Sequence, residues 1–134
     1  MKIRTLLLLA IPLMLTSCAN GQHKGETIEM NNGQKWKVNE EMKPHIEKGR
    51  EILNTYLDEN STDHKALAEN LQEQNSNLIG SCTMDGKSHD ELHKWLHPHL
   101  EMVKALKDAE TDEEVTKVTK ELKASYDLYD QHFE

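Results

Sequence analysis

The chain has 134 residues, a formal net charge of -8 and 30% charged side chains, which leaves room for one small domain. An acidic chain lacks the cationic surface that phosphates require, so we expect no nucleic-acid binding. Aromatic residues make up only 4% and glycines number only 6, which argues against a β-sandwich. There is no glycine-rich phosphate loop and no Gly-x-Ser-x-Gly elbow, and we do not expect an enzyme.

Residues 1–17 have the pattern of an export signal. Lys2 and Arg4 form a positive start, and residues 6–15 form an apolar run that is too short to span a bilayer. The run ends in Leu-Thr-Ser followed by Cys18, which resembles the lipobox of bacterial lipoproteins. The resemblance implies that residues 1–17 are removed and that Cys18 becomes the lipidated N-terminal residue.

The lipoprotein resemblance also implies a location for the mature protein. Acyl chains would anchor it in the cell envelope, and Ala19 after the lipidated cysteine implies the outer membrane, with the protein facing the periplasm. That compartment is oxidising. Because Cys18 would be used by the lipid, Cys82 is the only remaining thiol and cannot form a disulfide within the chain.

Two segments precede the helical part of the sequence. Residues 18–26 are small and polar, which is typical of a flexible tether. In residues 27–40, called the lead-in below, Ile28 and Met30 alternate with polar residues before an Asn-Asn-Gly turn, and Trp36 follows with a similar alternation. This pattern predicts either a short β-hairpin or an extended segment.

From residue 41 onward the apolar spacing becomes helical. The spacing predicts four helices, over residues 41–58, 62–79, 89–107 and about 112–132. Ser88 with Glu91 predicts a capping box for the third helix, and Thr111 with Glu114 predicts one for the fourth. Gly80 is expected to end the second helix.

Helices of this length with short links predict an all-α domain over residues 41–134, an antiparallel up-down-up-down four-helix bundle. In this topology the start of the first helix, the end of the second, the start of the third and the end of the fourth meet at one end. The sequence places metal-ligating side chains in those four segments: Met42, His45, Cys82, Met84, His89, His93 and His132.

These side chains predict a transition-metal site. Thiolate, thioether and imidazole groups suit copper or zinc and suit magnesium or calcium poorly. His89 and His93 are four residues apart, so both rings lie on one face of the third helix, and His97 repeats the spacing. We expect Cys82, His89 and His93 to be the main ligands, completed by Met84, Met42, His45 or His132.

Each of these residues also has a structural interpretation. His45, His99 and His132 fall on apolar seams, where a histidine can simply be a core or rim residue. Met42 fits a role in filling the core, and Cys82 fits a small buried apolar residue. His97 is expected to face solvent, and the whole group could be a solvated surface without a bound ion.

The first and last helices resemble those of the periplasmic cytochrome b-type four-helix bundles. In that family a methionine near the start of the first helix and a histidine near the end of the last helix bind a b-type haem. Met42 is placed like that methionine, whereas an ungapped match puts Asp130 at the histidine position and His132 two residues later. The resemblance therefore implies haem binding by Met42 and His132 only with a shift of register.

Three hypotheses follow from the sequence. The preferred one is a lipid-anchored protein that binds copper or zinc for sequestration, delivery or sensing. The second is a b-type haem protein for electron transfer or haem storage. The third is a metal-free module that uses its acidic surface to bind a partner at the membrane.

Overall fold

Four α-helices dominate the computed structural model, which describes residues 25–134. They are α1 (Lys43–Asp58), α2 (His64–Ser81), α3 (Gly86–Asp108) and α4 (Asp112–His132), and a single 3-10 turn (Glu40–Met42) precedes α1. No β-strand is present in residues 25–134, which confirms the all-α prediction. The predicted signal segment 1–17 and residues 18–24 of the tether lie outside the described residues. No helix from residue 25 onward is long and apolar enough to cross a membrane.

The helix ends follow local capping, with two exceptions to the sequence prediction, at the start of α3 and at the end of α2. Thr111 and Glu114 form the predicted capping box of α4, where the Glu114 N–H donates to Thr111 Oγ1 at 3.2 Å. The box predicted at Ser88 is wrong, because α3 begins earlier, at Gly86, with Asp85 as its N-cap residue. Gly86 has φ +62°, a conformation that glycine adopts without strain, and it turns the chain into the helix before Ser88 is reached. α2 likewise continues through Gly80 to Ser81.

Helices that are consecutive in sequence pack against each other, and α1 also contacts α4. Their shared interior is apolar, and the largest fully buried apolar side chains are Trp95, Phe133, Met42, Leu53, Leu71, Leu78, Leu92, Leu106 and Leu122. Trp95 contributes the most buried surface, and its indole N–H is satisfied because it donates to the Ser125 carbonyl at 2.8 Å. Contacts between neighbouring helices thus enclose the core.

The lead-in takes the extended form rather than the hairpin. Asn32 and Gly33 have φ +52° and +83°, as the Asn-Gly turn requires, but only the residues flanking this turn are bridged. The chain after the turn pairs instead with the C-terminus: the Trp36 N–H donates to the His132 carbonyl at 2.8 Å and the Glu134 N–H to the Trp36 carbonyl at 2.9 Å. The alternating residues therefore bury against the helices, and Ile28 and Val38 join the core.

α1 and α4 approach each other closely at Gly49. A β-carbon at Gly49 would lie 2.3 Å from the hydroxyl oxygen and 3.3 Å from Cζ of Tyr126. Next to it, Arg50 lies over the Tyr126 ring, 5.7 Å from its centroid, and pairs with Asp130. The absence of a side chain at Gly49 thus allows the tyrosine to sit between the two helices.

We predict that Gly49→Ala destabilises the protein by about 1–3 kcal/mol, because the added methyl group overpacks the Tyr126 contact. Gly80→Ala is the matched control: a β-carbon there meets nothing within 4 Å, and the substitution should stabilise α2 by about 0.5–1 kcal/mol. Denaturant unfolding followed by circular dichroism measures both effects. Equal effects of the two substitutions would contradict the tight contact.

Candidate metal site

Three histidines form a continuous row on α3, which we call the histidine ladder (His89, His93 and His97). Nε2 of His89 lies 3.0 Å from Nε2 of His93, and Nδ1 of His93 lies 3.0 Å from Nε2 of His97. The rings meet edge to face, with centroid separations of 4.4 Å and 4.9 Å. The four-residue spacing on a helix therefore brings ring nitrogens as close together as ligands of one ion.

The ladder changes in burial along its length. His89 and His93 are half-buried, and His97 is exposed, as the sequence predicted. Burial lowers the pKa of His93 below its ordinary value, and the neighbouring His89 and His97 rings lower it further, whereas Asp90 opposes the shift. The lowered pKa favours the neutral form of His93, in which one ring nitrogen carries a lone pair.

A shallow groove of about 600 Å³ runs beside the ladder. His93 and His97 line it together with three carboxylates, Glu26, Asp90 and Glu101, and with Lys94, whose ammonium group is paired with Glu91. Acidic walls favour the approach of cations. The surroundings of the ladder therefore suit a positively charged ligand.

The other predicted ligands are engaged elsewhere. Met42 is 1% exposed within the hydrophobic core, and Cys82 and Met84 are half-buried against that core. His45 Nδ1 lies 3.4 Å from Gln74 Oε1, and His132 Nδ1 lies 3.0 Å from the Leu128 carbonyl of its own helix. These contacts of Met42, Cys82, His45 and His132 fit the structural interpretation given above, and Met84, for which the sequence offered no such role, also packs against the core.

The backbone does bring parts of the predicted end of the bundle together. The Asn39 amide donates to the Ser81 carbonyl at 2.9 Å and its oxygen accepts from the Thr83 N–H at 3.1 Å, which brackets Cys82. Ser88 and Glu134 line one groove with the lead-in. Even so, no three His, Cys, Asp or Glu side chains are arranged to hold a metal ion anywhere in residues 25–134. The ladder brings its ring nitrogens together in pairs and not as a set of three.

Met42 and His132, the residues suggested for haem, lie in different surroundings. Met42 packs among core side chains, and His132 is occupied by a backbone carbonyl in the last turn of α4. The interior between α3 and α4 contains aromatic rings in mutual contact: Trp95, His99, Tyr126 and Tyr129. These contacts give no support to a haem site between Met42 and His132.

Glu91 is a buried ionic residue that the sequence analysis assigned only to a cap. Its Oε1 accepts from Lys87 at 2.7 Å and from Lys94 at 2.9 Å, and its Oε2 accepts from the Glu29 N–H at 2.8 Å. Burial would raise the pKa of Glu91, but these three hydrogen bonds outweigh it and lower the pKa to about 2. The charged carboxylate thereby fastens the lead-in to α3 beside the ladder, and the Lys-x-x-x-Glu-x-x-Lys spacing was the available sequence signal.

His99 is completely buried in the core. It is 0% exposed, stacks on Trp95 and lies 2.9 Å from Ser125 Oγ through Nδ1. Its Nε2 has no hydrogen-bond partner among the described residues. Burial lowers the pKa of His99 to about 3, so this ring stays neutral and belongs to the core rather than to the ladder.

Comparisons with known proteins add no constraint on this site: no protein-family model, curated protein or solved structure matches the chain.

We predict that His99 makes folding stability depend on pH. Between its ordinary pKa near 6.5 and the lowered value of about 3, the unfolded chain binds a proton that the folded chain excludes. Stability should therefore fall as pH decreases through this window, by at most about 1.4 kcal/mol per pH unit from this group.

Unfolding free energies of the wild type and His99→Gln between pH 7 and pH 4.5 test this dependence. The variant should lose this part of the slope, because glutamine is neutral throughout. His64→Gln, which removes a half-buried histidine that contacts the Ala109 carbonyl, is the control and should keep it. An unchanged slope in His99→Gln would rule out a neutral buried ring.

Proposed function

We propose that this protein is a lipid-anchored helical protein of the bacterial cell envelope that binds a transition-metal ion, copper or zinc, through His89 and His93. The observation that carries the proposal is the 3.0 Å separation of their Nε2 atoms. Two imidazole nitrogens at this distance can share one ion with metal–nitrogen bonds of about 2.0–2.1 Å.

Two protein ligands leave the remaining coordination positions to water or to another molecule. An ion held in this way exchanges more readily than one in a closed site of four protein ligands. The proposed role is accordingly metal handling in which the ion is received and passed on, that is delivery or sensing, rather than long-term sequestration. The acidic groove beside the ladder supports this role because it favours the approach of cations.

We further propose that the four helices form the antiparallel up-down-up-down bundle. Contacts support this order: His45 near the start of α1 faces Gln74 near the end of α2, and the end of α1 shares a groove with the start of α2. In the second pair, Pro98 and Leu128 share one groove, while Asp108 and Glu114 share another. The links between helices are short, as this topology requires.

Metal binding can be tested on the full-length protein, purified in detergent from cell envelopes and freed of metal. Titration with Cu(II) or Zn(II) salts, with elemental analysis of the isolated protein, should give stoichiometric binding in the wild type. His89→Gln and His93→Gln should each abolish it. His93→Gln leaves no two neighbouring imidazoles, and His89→Gln leaves only the His93–His97 contact, in which Nδ1–H of His93 donates to His97 and is not available to an ion.

Two variants serve as controls. His64→Gln removes a histidine outside the ladder and should bind as the wild type does. Cys82→Ser should also bind normally, because Cys82 packs against the hydrophobic core. Binding that survives in His89→Gln and His93→Gln would contradict the proposal, and so would its loss in Cys82→Ser.

The anchor is tested separately. We expect Cys18→Ser to abolish lipidation and to move the protein from the membrane fraction to the soluble fraction, because the thiol is the lipid attachment point. Fractionation with detection of incorporated labelled fatty acid measures this change. Cys82→Ser is the matched control and should stay in the membrane fraction with its label; membrane retention of labelled Cys18→Ser would overturn the proposed anchor.

A further inference from the structure

We infer that the histidine ladder takes one Cu(II) ion at Nε2 of His89 and Nε2 of His93, with His97 acting as the hydrogen-bond partner that positions His93. This inference rests on the proposed function and selects one ion from the two that the function allows. Bond geometry, ligand chemistry and the tautomer of His93 each support it.

The separation of the two Nε2 atoms favours metal–nitrogen bonds that meet at about a right angle. Two nitrogens 3.0 Å apart, each about 2.05 Å from an ion, subtend roughly 94° at that ion. A tetrahedral ion with the same bond length requires a separation of roughly 3.3–3.4 Å. The observed distance matches adjacent positions of the tetragonal geometry that Cu(II) prefers better than the tetrahedral geometry of Zn(II).

The chemistry of the ligands points to the same ion. Cu(I) prefers thiolate and thioether sulfur, and both Cys82 and Met84 pack against the hydrophobic core. The ladder offers imidazole nitrogen, a borderline ligand, and it lies beside a groove lined by carboxylates. Among divalent ions of the first transition row, such nitrogen and oxygen sites bind Cu(II) most tightly.

His97 determines which nitrogen of His93 is free. A neutral imidazole has one protonated nitrogen and one lone pair. When Nδ1–H of His93 donates to His97 Nε2, at the observed 3.0 Å, the lone pair lies on Nε2 and points toward His89. Hydrogen bonds of this kind orient a ligating ring and raise its basicity.

The tautomer of His93 limits the ladder to one ion. A second ion between His93 and His97 would need the lone pair on Nδ1 of His93, which the first ion's tautomer does not provide. His97 is therefore a positioning residue and not a ligand. Its exposed side chain can be replaced without disturbing the core.

The experiment uses the full-length, metal-free protein in detergent. Cu(II), Ni(II) and Zn(II) are titrated separately against a chelator of known affinity, and the Cu(II) complex is examined by electron paramagnetic resonance. We expect one Cu(II) per chain, bound more tightly than Ni(II) or Zn(II), with a tetragonal spectrum that shows coupling to two equatorial nitrogens.

The positioning role is tested with His97→Ala and His97→Gln. His97→Ala should weaken Cu(II) binding about 10–100-fold while the melting temperature of the metal-free protein stays unchanged. His97→Gln keeps an acceptor oxygen and should recover most of the affinity. Coupling to two nitrogens should persist in both variants, which distinguishes a positioning residue from a lost ligand.

The possible outcomes test the Cu(II) inference and the proposed function separately. Zn(II) binding as tight as Cu(II) binding, still abolished by His89→Gln, would overturn the Cu(II) inference and leave the proposed function intact. Two ions per chain, or wild-type affinity in His97→Ala, would overturn the single site with its positioning residue. Metal binding that is insensitive to both His89→Gln and His93→Gln would overturn the proposed function itself.

Discussion

The periodicity of α3 is the constraint on which the core and the ladder both depend. Residues four apart on an α-helix are rotated by about 40° relative to each other, so a row at this spacing drifts slowly around the helix. The drift explains why His89 and His93 are half-buried and His97 is exposed. The opposite face of the same helix carries Leu92, Trp95 and His99 into the core. Rotation of α3 would therefore displace the ladder and disrupt the core together, which couples the site to the fold.

The lead-in and Glu91 hold this helix in place from outside. Gly25 lies against Pro98, the Thr27 carbonyl accepts from Lys94, and the Glu29 N–H donates to Glu91, so the chain follows α3 in the opposite direction. A buried carboxylate is stable only when its charge is compensated, which Lys87 and Lys94 do here. Because the pKa of Glu91 is lowered to about 2, this fastening weakens only as pH falls from about 4.5 toward 2.

Local signals in the sequence were correct at the start of α4 and at the Asn-Gly turn and wrong at the start of α3, whereas the hairpin depended on distant packing. The capping box of Thr111 and Glu114 and the Asn-Gly turn are encoded within a few residues, and both are present. The capping box at Ser88 failed because Gly86 can adopt a positive φ, an option that a pattern of side chains does not reveal. The hairpin failed because the Trp36 backbone pairs with His132 and Glu134, about 100 residues away in sequence.

The predictions for the candidate site also differ between contacts within one helix and contacts between helices. The spacing of His89, His93 and His97 predicted their contact, because a single helix fixes it. The addition of Cys82, Met42 or His132 to this group depended on side-chain directions in other helices, which the bundle topology alone does not determine. In the described structure these three side chains contact the core or their own helix. A half-buried thiol also suits an oxidising compartment, since burial protects it from oxidation.

The proposed anchor would place the ladder near the membrane. Gly25 packs against Pro98, the residue after His97, so the tether joins the helical body beside the exposed end of the ladder. From Cys18 to Gly25 the chain has seven residues to extend, which span at most about 25 Å. A lipid on Cys18 would keep Gly25, and with it the His97 end of the ladder, close to the membrane surface. An ion held by two histidines with open coordination positions would then be presented to membrane-bound partners rather than carried through the periplasm, which agrees with delivery or sensing better than with storage.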